Sequence, residues 1–209
     1  MPREEQVLVI ERKVLEQVGM FQGLTFDVAN YLREFFVQGV PRFMPRSQVE
    51  ENPAYKQLIP YVLMSYQDKY LSYIRGRRAG EARLVGNRSI GIGGHINPVD
   101  NEIPLFDTDF SELYRTAVER EVAEEVSVET SHTDCVVALL NDESNEVGSV
   151  HLGIVHHWIL DAPKVSRREQ MITQMAFMTP AELQEVRDTL ETWSGLCLSR
   201  LAEMTKSLS

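Results

Sequence analysis

The spacing of apolar and polar positions changes several times along this chain. Residues 6–15, QVLVIERKVL, open with an alternating β-branched run that predicts a strand. Residues 25–37, TFDVANYLREFFV, place apolar side chains at helical spacing, with Thr25 or Asp27 as a cap. This segment reads equally as a short helix or as a loop with a strand. Residues 43–60, FMPRSQVEENPAYKQLIP, are punctuated by Pro45, Pro53 and Pro60 and read as loop. Residues 61–66 and 70–75 are rich in aromatic and aliphatic side chains around a polar Gln67-Asp68-Lys69 turn, which predicts a hairpin. A charged, glycine-containing loop follows, then SIGIGGHINP (89–98), a short strand running into a glycine turn. The acidic stretch VDNEIPLFDTDF (99–110) leads to a glutamate-rich helix at 113–128. DCVVALLND (134–142) and SVHLGIVHHWIL (149–160) predict an antiparallel pair of strands. TPAELQEVRDTL (179–190) has a capping box, Thr179 with Glu182, and Pro180 at its first helical position. WSGLCLSRLAEM (193–204) extends or follows it as a terminal helix. Strands with a central helix and terminal helices predict an α+β class or a three-layer sandwich.

Composition narrows the class. A chain of 209 residues with 43% hydrophobic content suits one domain, or one domain with an elaborated terminus. The net charge of -10 argues against a general binder of nucleic-acid backbones, though it leaves room for a local basic pocket around a small anion. Cys135 and Cys197 are far apart, outside metal-type spacing, and read as reduced core residues of a cytoplasmic protein. The N-terminus lacks the long apolar stretch of a signal peptide, and no segment reaches the roughly 20 apolar residues of a membrane span. The cytoplasm is the expected location, with no membrane partner.

The glutamate helix raises the chemical question. LYRTAVEREVAEEVSV gathers its acids towards the C-terminal end, where the helix dipole opposes them. Glu121, Glu124 and Glu125 stand at i, i+3 and i+4 and share one face. Tyr114, Val118, Val122 and Val126 form an apolar stripe beside them. Glu121 has Ala117 and Glu125 at its i−4 and i+4 positions, so it lacks a helical cation partner there. Taken alone, these acids read as a solvated face. Three carboxylates converging on one point also suit a hard divalent cation, which wants several oxygen ligands.

The wider pattern favours the cation. Arg120-Glu121-Val122-Ala123-Glu124-Glu125 follows Glu112 with seven residues between Glu112 and Arg120, and Gly93-Gly94 lies upstream. This arrangement resembles the box of the Nudix hydrolases, and the strand YLSYIRGR resembles the strand that precedes that box. The likeness covers roughly residues 61–190. The whole chain also resembles, more loosely, a bacterial branch described as predicted Nudix-family phosphoesterases, which carries a similar N-terminal extension. Two departures stand out. Seventeen residues separate Gly94 from Glu112, an insertion of twelve that puts an added loop at 95–111. Loop length there costs little. Ser127 stands where the family has a glycine that lets the chain leave the helix.

The resemblance implies a Nudix-type α/β/α sandwich, with a mixed sheet, C-terminal helices and an N-terminal extension. The expected division is 1–55 for the extension, packed on the same domain, and 56–209 for the Nudix domain. It implies a diphosphatase that uses Mg²⁺ or Mn²⁺ on a nucleoside diphosphate derivative or another small diphosphate. Glu121, Glu124 and Glu125 would be metal ligands, joined by the Gly94 carbonyl. Glu121 would also be a general base, and Arg120 and Glu112 an orienting ion pair. In many family members a loop acid outside the box is the base, which makes Asp142, Glu143 and Glu146 candidates; an ordinary hairpin turn accounts for them equally well. Arg75 is the first candidate for the substrate phosphates, followed by Arg46 and Lys56. His95 could touch a phosphate or hold the inserted loop. Alternation separates His156 from His157, which argues against a zinc site among the strand histidines. Two other activities stay open: a non-hydrolytic nucleotide-binding Nudix domain, and an isoprenoid-diphosphate isomerase with Cys135 near its cleft. A homodimer is expected by analogy with the family.

Overall fold

The computed structural model describes residues 4–76, 86–98, 110–168 and 172–206. The chain opens with β1 (Gln6–Glu11), α1 (Arg12–Val18), β2 (Gly23–Thr25), α2 (Val28–Phe35), β3 (Arg42–Pro45) and α3 (Arg46–Val49). Then come β4 (Tyr55–Tyr66), β5 (Lys69–Arg75), β6 (Arg88–Ser89), β7 (Gly91–Gly93) and the long helix α4 (Phe110–Glu125). After it run β8 (Val126–Val128), β9 (His132–Asn141), α5 (Glu146–Val150), β10 (His151–Leu160), β11 (Val165–Arg167) and β12 (Ile172–Met178). The chain ends in α6 (Pro180–Glu185), α7 (Thr192–Ser199) and α8 (Leu201–Lys206). This is the expected α+β class, with helices towards both ends. Among the described residues, no helix is long and apolar enough to cross a membrane.

The residues read as loop at 43–60 instead supply β3, α3 and the first half of β4. The prolines misled the reading because each stands where no ladder hydrogen bond is needed. Pro45 ends β3, and Pro53 precedes β4. Pro60 lies between the register that pairs β4 with β1, ending at Gln57, and the one that pairs it with β7, starting at Tyr61. The hairpin appears as expected, with Ser65 opposite Tyr70 and Gln67 turning the chain at positive φ. The segment at 25–37 resolves as both of its alternatives, with β2 ending at Thr25 and α2 following.

The chain folds as two compact units, one holding residues 1–60, 94–120 and 138–154, the other 61–93, 121–137 and 155–209. In the first, β1 pairs antiparallel with β3 and with β4, and Val7, Leu8, Val9 and Ile10 are wholly enclosed. β2 pairs with β9, Leu24 opposite Leu140. Helix α2 packs on α1 through Tyr31, whose hydroxyl donates to the Gly19 carbonyl at 2.7 Å and whose ring meets Phe21 and Phe35 edge-on. Gly148 is forced by space, because a Cβ there would fall 1.9 Å from the Asp142 carbonyl oxygen.

In the second unit β5 pairs with β4 and with β12, and β8 pairs with β11. The Tyr61 ring lies flat against Gly91, where a Cβ would come within 2.2 Å of it. The Tyr61 hydroxyl shares a 2.8 Å hydrogen bond with Ser194 of α7, which ties that helix to the strands. The capping box of α6 is complete: the Glu182 amide donates to Thr179 Oγ1, and the Thr179 amide donates to the Glu182 carboxylate.

Candidate active site

Helix α4 has the buried stripe its sequence predicts, with Tyr114, Val118 and Val122 enclosed and Val126 following. Its acids divide by exposure, Glu124 in solvent and Glu121 and Glu125 half-buried. The C-terminal carbonyls, where acid is least welcome, are met by Arg168. Its guanidinium donates to the Ala123 carbonyl at 2.9 Å and its amide to the Glu125 carbonyl at 3.0 Å. The chain then passes directly into β8, where Ser127 pairs with Ser166. Ser127 is not among the residues with positive φ, so this exit from the helix needs no glycine.

Glu125 is strongly perturbed. Burial raises its carboxyl to about 7, against the pull of Arg75 and with the push of Glu121; the Tyr73 hydroxyl lowers it and Glu191 raises it. Its Oε2 is buried without a hydrogen-bond partner among the described residues. Arg75 sits in the same unit. Its Nε donates to Glu191 at 2.5 Å and its guanidinium lies 5.7 Å from the Tyr73 ring centre. Burial opposes the charge on Arg75, but Tyr73, Glu191 and Glu125 outweigh it and hold the guanidinium firmly protonated. An enclosed oxygen without a donor costs roughly 1–3 kcal/mol. A divalent cation would satisfy it, and carboxylates at i, i+3 and i+4 are the hard oxygen donors such an ion takes. The residues present therefore fit a Mg²⁺-class ion.

The other box residues belong to the first unit. Arg120 Nη2 donates to the His95 carbonyl at 2.9 Å, tying the turn after Gly94 to α4. Glu112 is exposed in the first turn of α4, where the dipole favours an acid. Most of the inserted loop lies outside the described residues. The His95 ring is largely enclosed. Burial, then Arg46 and His151, push its pKa down to about 3 against the pull of Glu50, so it is neutral at physiological pH. Arg46 is bonded to Glu50 at 2.8 Å and to Glu5 at 3.1 Å.

Two candidates for the chemistry, Lys56 and Glu143, meet each other. Lys56 is fully buried, and its ammonium contacts Glu143 at 2.6 Å and the Gly148 carbonyl at 3.0 Å. Glu143 also receives Arg12 at 2.9 Å. Burial raises the Glu143 pKa, but the bonds from Lys56 and Arg12 bring it below the ordinary value. Asp142 accepts from Gln22, Ser144 and Asn145, which shapes the turn before α5. Glu146 is exposed at the start of α5.

Among the strand histidines, His156 bonds Asp134 at 2.8 Å and His157 bonds Ser65 at 2.7 Å. His151 instead meets His95, their Nε2 atoms 3.4 Å apart, with Glu50 close by. Sequence spacing gave no sign of this group, because its members come from three distant segments. It gave none of Arg168 either, since a capping arginine that follows a later strand leaves no local pattern.

No family model matches the chain. Over 201 residues it is 30% identical to protein YmaB of Bacillus subtilis (strain 168), covering 91% of this chain and 94% of that protein. Among solved structures, Tm1382, provisionally classed as a Nudix hydrolase, is similar at a TM-score of 0.75 and 27% identity, over 94% of this chain and 98% of that one. The MutT protein of Methanosarcina mazei Go1 shares the fold at a TM-score of 0.52 and 18% identity, over 71% of this chain and 94% of that one. A likeness running the length of both chains, joined to a helix written R-E-V-A-E-E, leads to one assignment: the chain belongs to the Nudix superfamily.

Proposed function

We propose that the protein hydrolyses a diphosphate linkage in a nucleoside diphosphate derivative, using Mg²⁺ or Mn²⁺. The observation that carries this reading is the half-buried Glu125, whose Oε2 has no hydrogen-bond partner among the described residues and which shares its helix end with Glu121 and Glu124. Glu121, Glu124 and Glu125 would hold the ion. The ion would offset phosphate charge and make bound water more acidic. Glu121 takes the proton of the attacking water. Of the candidate loop acids in the first unit, Glu143 bonds Lys56 and Arg12 and Glu146 is exposed.

Arg75, in the same unit as these acids, keeps Glu125 in reach of its charged form and would face the diphosphate. Arg120 fixes the turn after Gly94 through the His95 carbonyl, and Glu112 steadies the start of α4. Lys56 has a structural role in this scheme. Arg46, a weaker candidate for a phosphate in the first unit, is already bonded to Glu5 and Glu50.

The test is a release assay over nucleoside triphosphates, nucleotide sugars, ADP-ribose, dinucleotide cofactors and dinucleoside polyphosphates, each with Mg²⁺, Mn²⁺ or EDTA. Metal-dependent release that falls at least a hundredfold in Glu124→Gln supports the proposal. Thermal stabilisation by a nucleotide without turnover would replace it with a binding role.

A further inference from the structure

His95 follows the glycine turn, His151 opens β10, and Glu50 follows α3, and all three lie in the first unit. One ligand atom from each lies within 4.8 Å of the others. His151 Nδ1 is 2.7 Å from the Val147 carbonyl, which can only accept, so Nδ1 carries the proton and Nε2 presents a lone pair. That lone pair faces His95 Nε2 at 3.4 Å. This is long for a hydrogen bond from a ring N–H. It matches the separation of about 3.3–3.4 Å that two nitrogens adopt on a tetrahedral ion with bonds of about 2.0–2.1 Å.

From this geometry we propose that His95, His151 and Glu50 form a second metal site, for a zinc-class transition-metal dication, distinct in its residues from the box acids. The surroundings suit such a site. The Val147 carbonyl fixes the His151 tautomer, and Arg46 holds the Glu50 carboxylate at 2.8 Å. Glu5 stands 3.8 Å from His95 Nδ1, where it favours a proton on that nitrogen and a lone pair on Nε2. Outer partners of this kind orient metal ligands and sharpen affinity. Two imidazoles and one carboxylate select zinc, cobalt or nickel over Mg²⁺, which prefers oxygen. Three protein ligands leave a fourth position for water or a small ligand.

The test uses the full chain with its box silenced by Glu124→Gln and Glu125→Gln, stripped with chelator and titrated with Co²⁺. The expected result is one Co²⁺ per chain, with the visible absorption of a tetrahedral site. Adding His151→Gln or His95→Gln should weaken binding at least a hundredfold, and Glu50→Gln at least tenfold. X-ray absorption on the box-silenced protein counts imidazole ligands without a further substitution, so a histidine variant that fails to fold leaves the result readable. No Co²⁺ uptake by the folded box-silenced chain, or a spectrum without imidazole, overturns the proposal. So does unchanged affinity in folded histidine variants. Because the box acids are already disabled, loss of this site and loss of hydrolysis are separate outcomes.

Discussion

Glu125 shares its surroundings with Glu121, Glu191 and the Arg75 guanidinium, and burial raises its carboxyl from the usual 4.5 to about 7. An acid with a raised folded pKa holds its proton in the native state after the unfolded chain has released it. Metal-free protein therefore loses stability as pH rises from about 4.5 through 7, on the order of 3 kcal/mol in full. Glu125→Gln should remove that loss: in EDTA it is expected to be more stable than the wild type at pH 8 and equal near pH 4.5. Saturating Mg²⁺ or Mn²⁺ should reverse the order at pH 8, because only the carboxylate binds the ion. Urea melts at the two pH values, with and without metal, check both signs. Lys56 and Glu143 show the limit of reading single residues. A basic residue and a loop acid look like chemistry in a sequence, and nothing local reveals that they meet 87 positions apart. Lys56→Ala should cost about 3 kcal/mol, because it leaves the enclosed Gly148 carbonyl without this donor and the half-buried Glu143 with Arg12 alone. A melt of the variant measures this directly.

Elements were legible where the signal is local. The capping box of α6, the hairpin between β4 and β5, and the stripe of α4 depend on neighbours in sequence, and the structure has all three. The strands at 42–45 and 55–60 were hidden by prolines whose harmlessness depends on which partner each edge faces, a tertiary fact. Ser127 combines both cases. In the sequence it is a missing glycine; in the fold it is a strand residue opposite Ser166, reached through a helix end capped by Arg168. Restoring the family's residue should therefore not help. Ser127→Gly is expected to cost about 0.5–1 kcal/mol by loosening β8 and to change turnover less than threefold. A gain in stability would mean that the helix ends differently.

At the scale of the whole molecule, the sequence predicts an extension at 1–55 packed on the same domain as the rest. Residues 1–60 share one compact unit with 94–120 and 138–154. Within that unit β1 lies between β3 and β4, and four of its side chains are fully enclosed. Burying an aliphatic side chain is worth about 1.5–3 kcal/mol, so β1 alone contributes about 6–12 kcal/mol. That is comparable to the entire stability of a typical domain, about 5–15 kcal/mol. Deleting residues 1–55 also strips β1 from the β4 edge at Lys56 and Gln57 and removes Arg12 from Glu143. The truncated chain should be insoluble or should lack a cooperative melt, and it should lose turnover together with its fold. The comparison to make is a melt and a release assay on the truncated and full chains, prepared alike. A soluble truncated chain with full activity would show that the extension is an appendage to a Nudix domain that folds alone. The predicted collapse would make it a structural part of that domain.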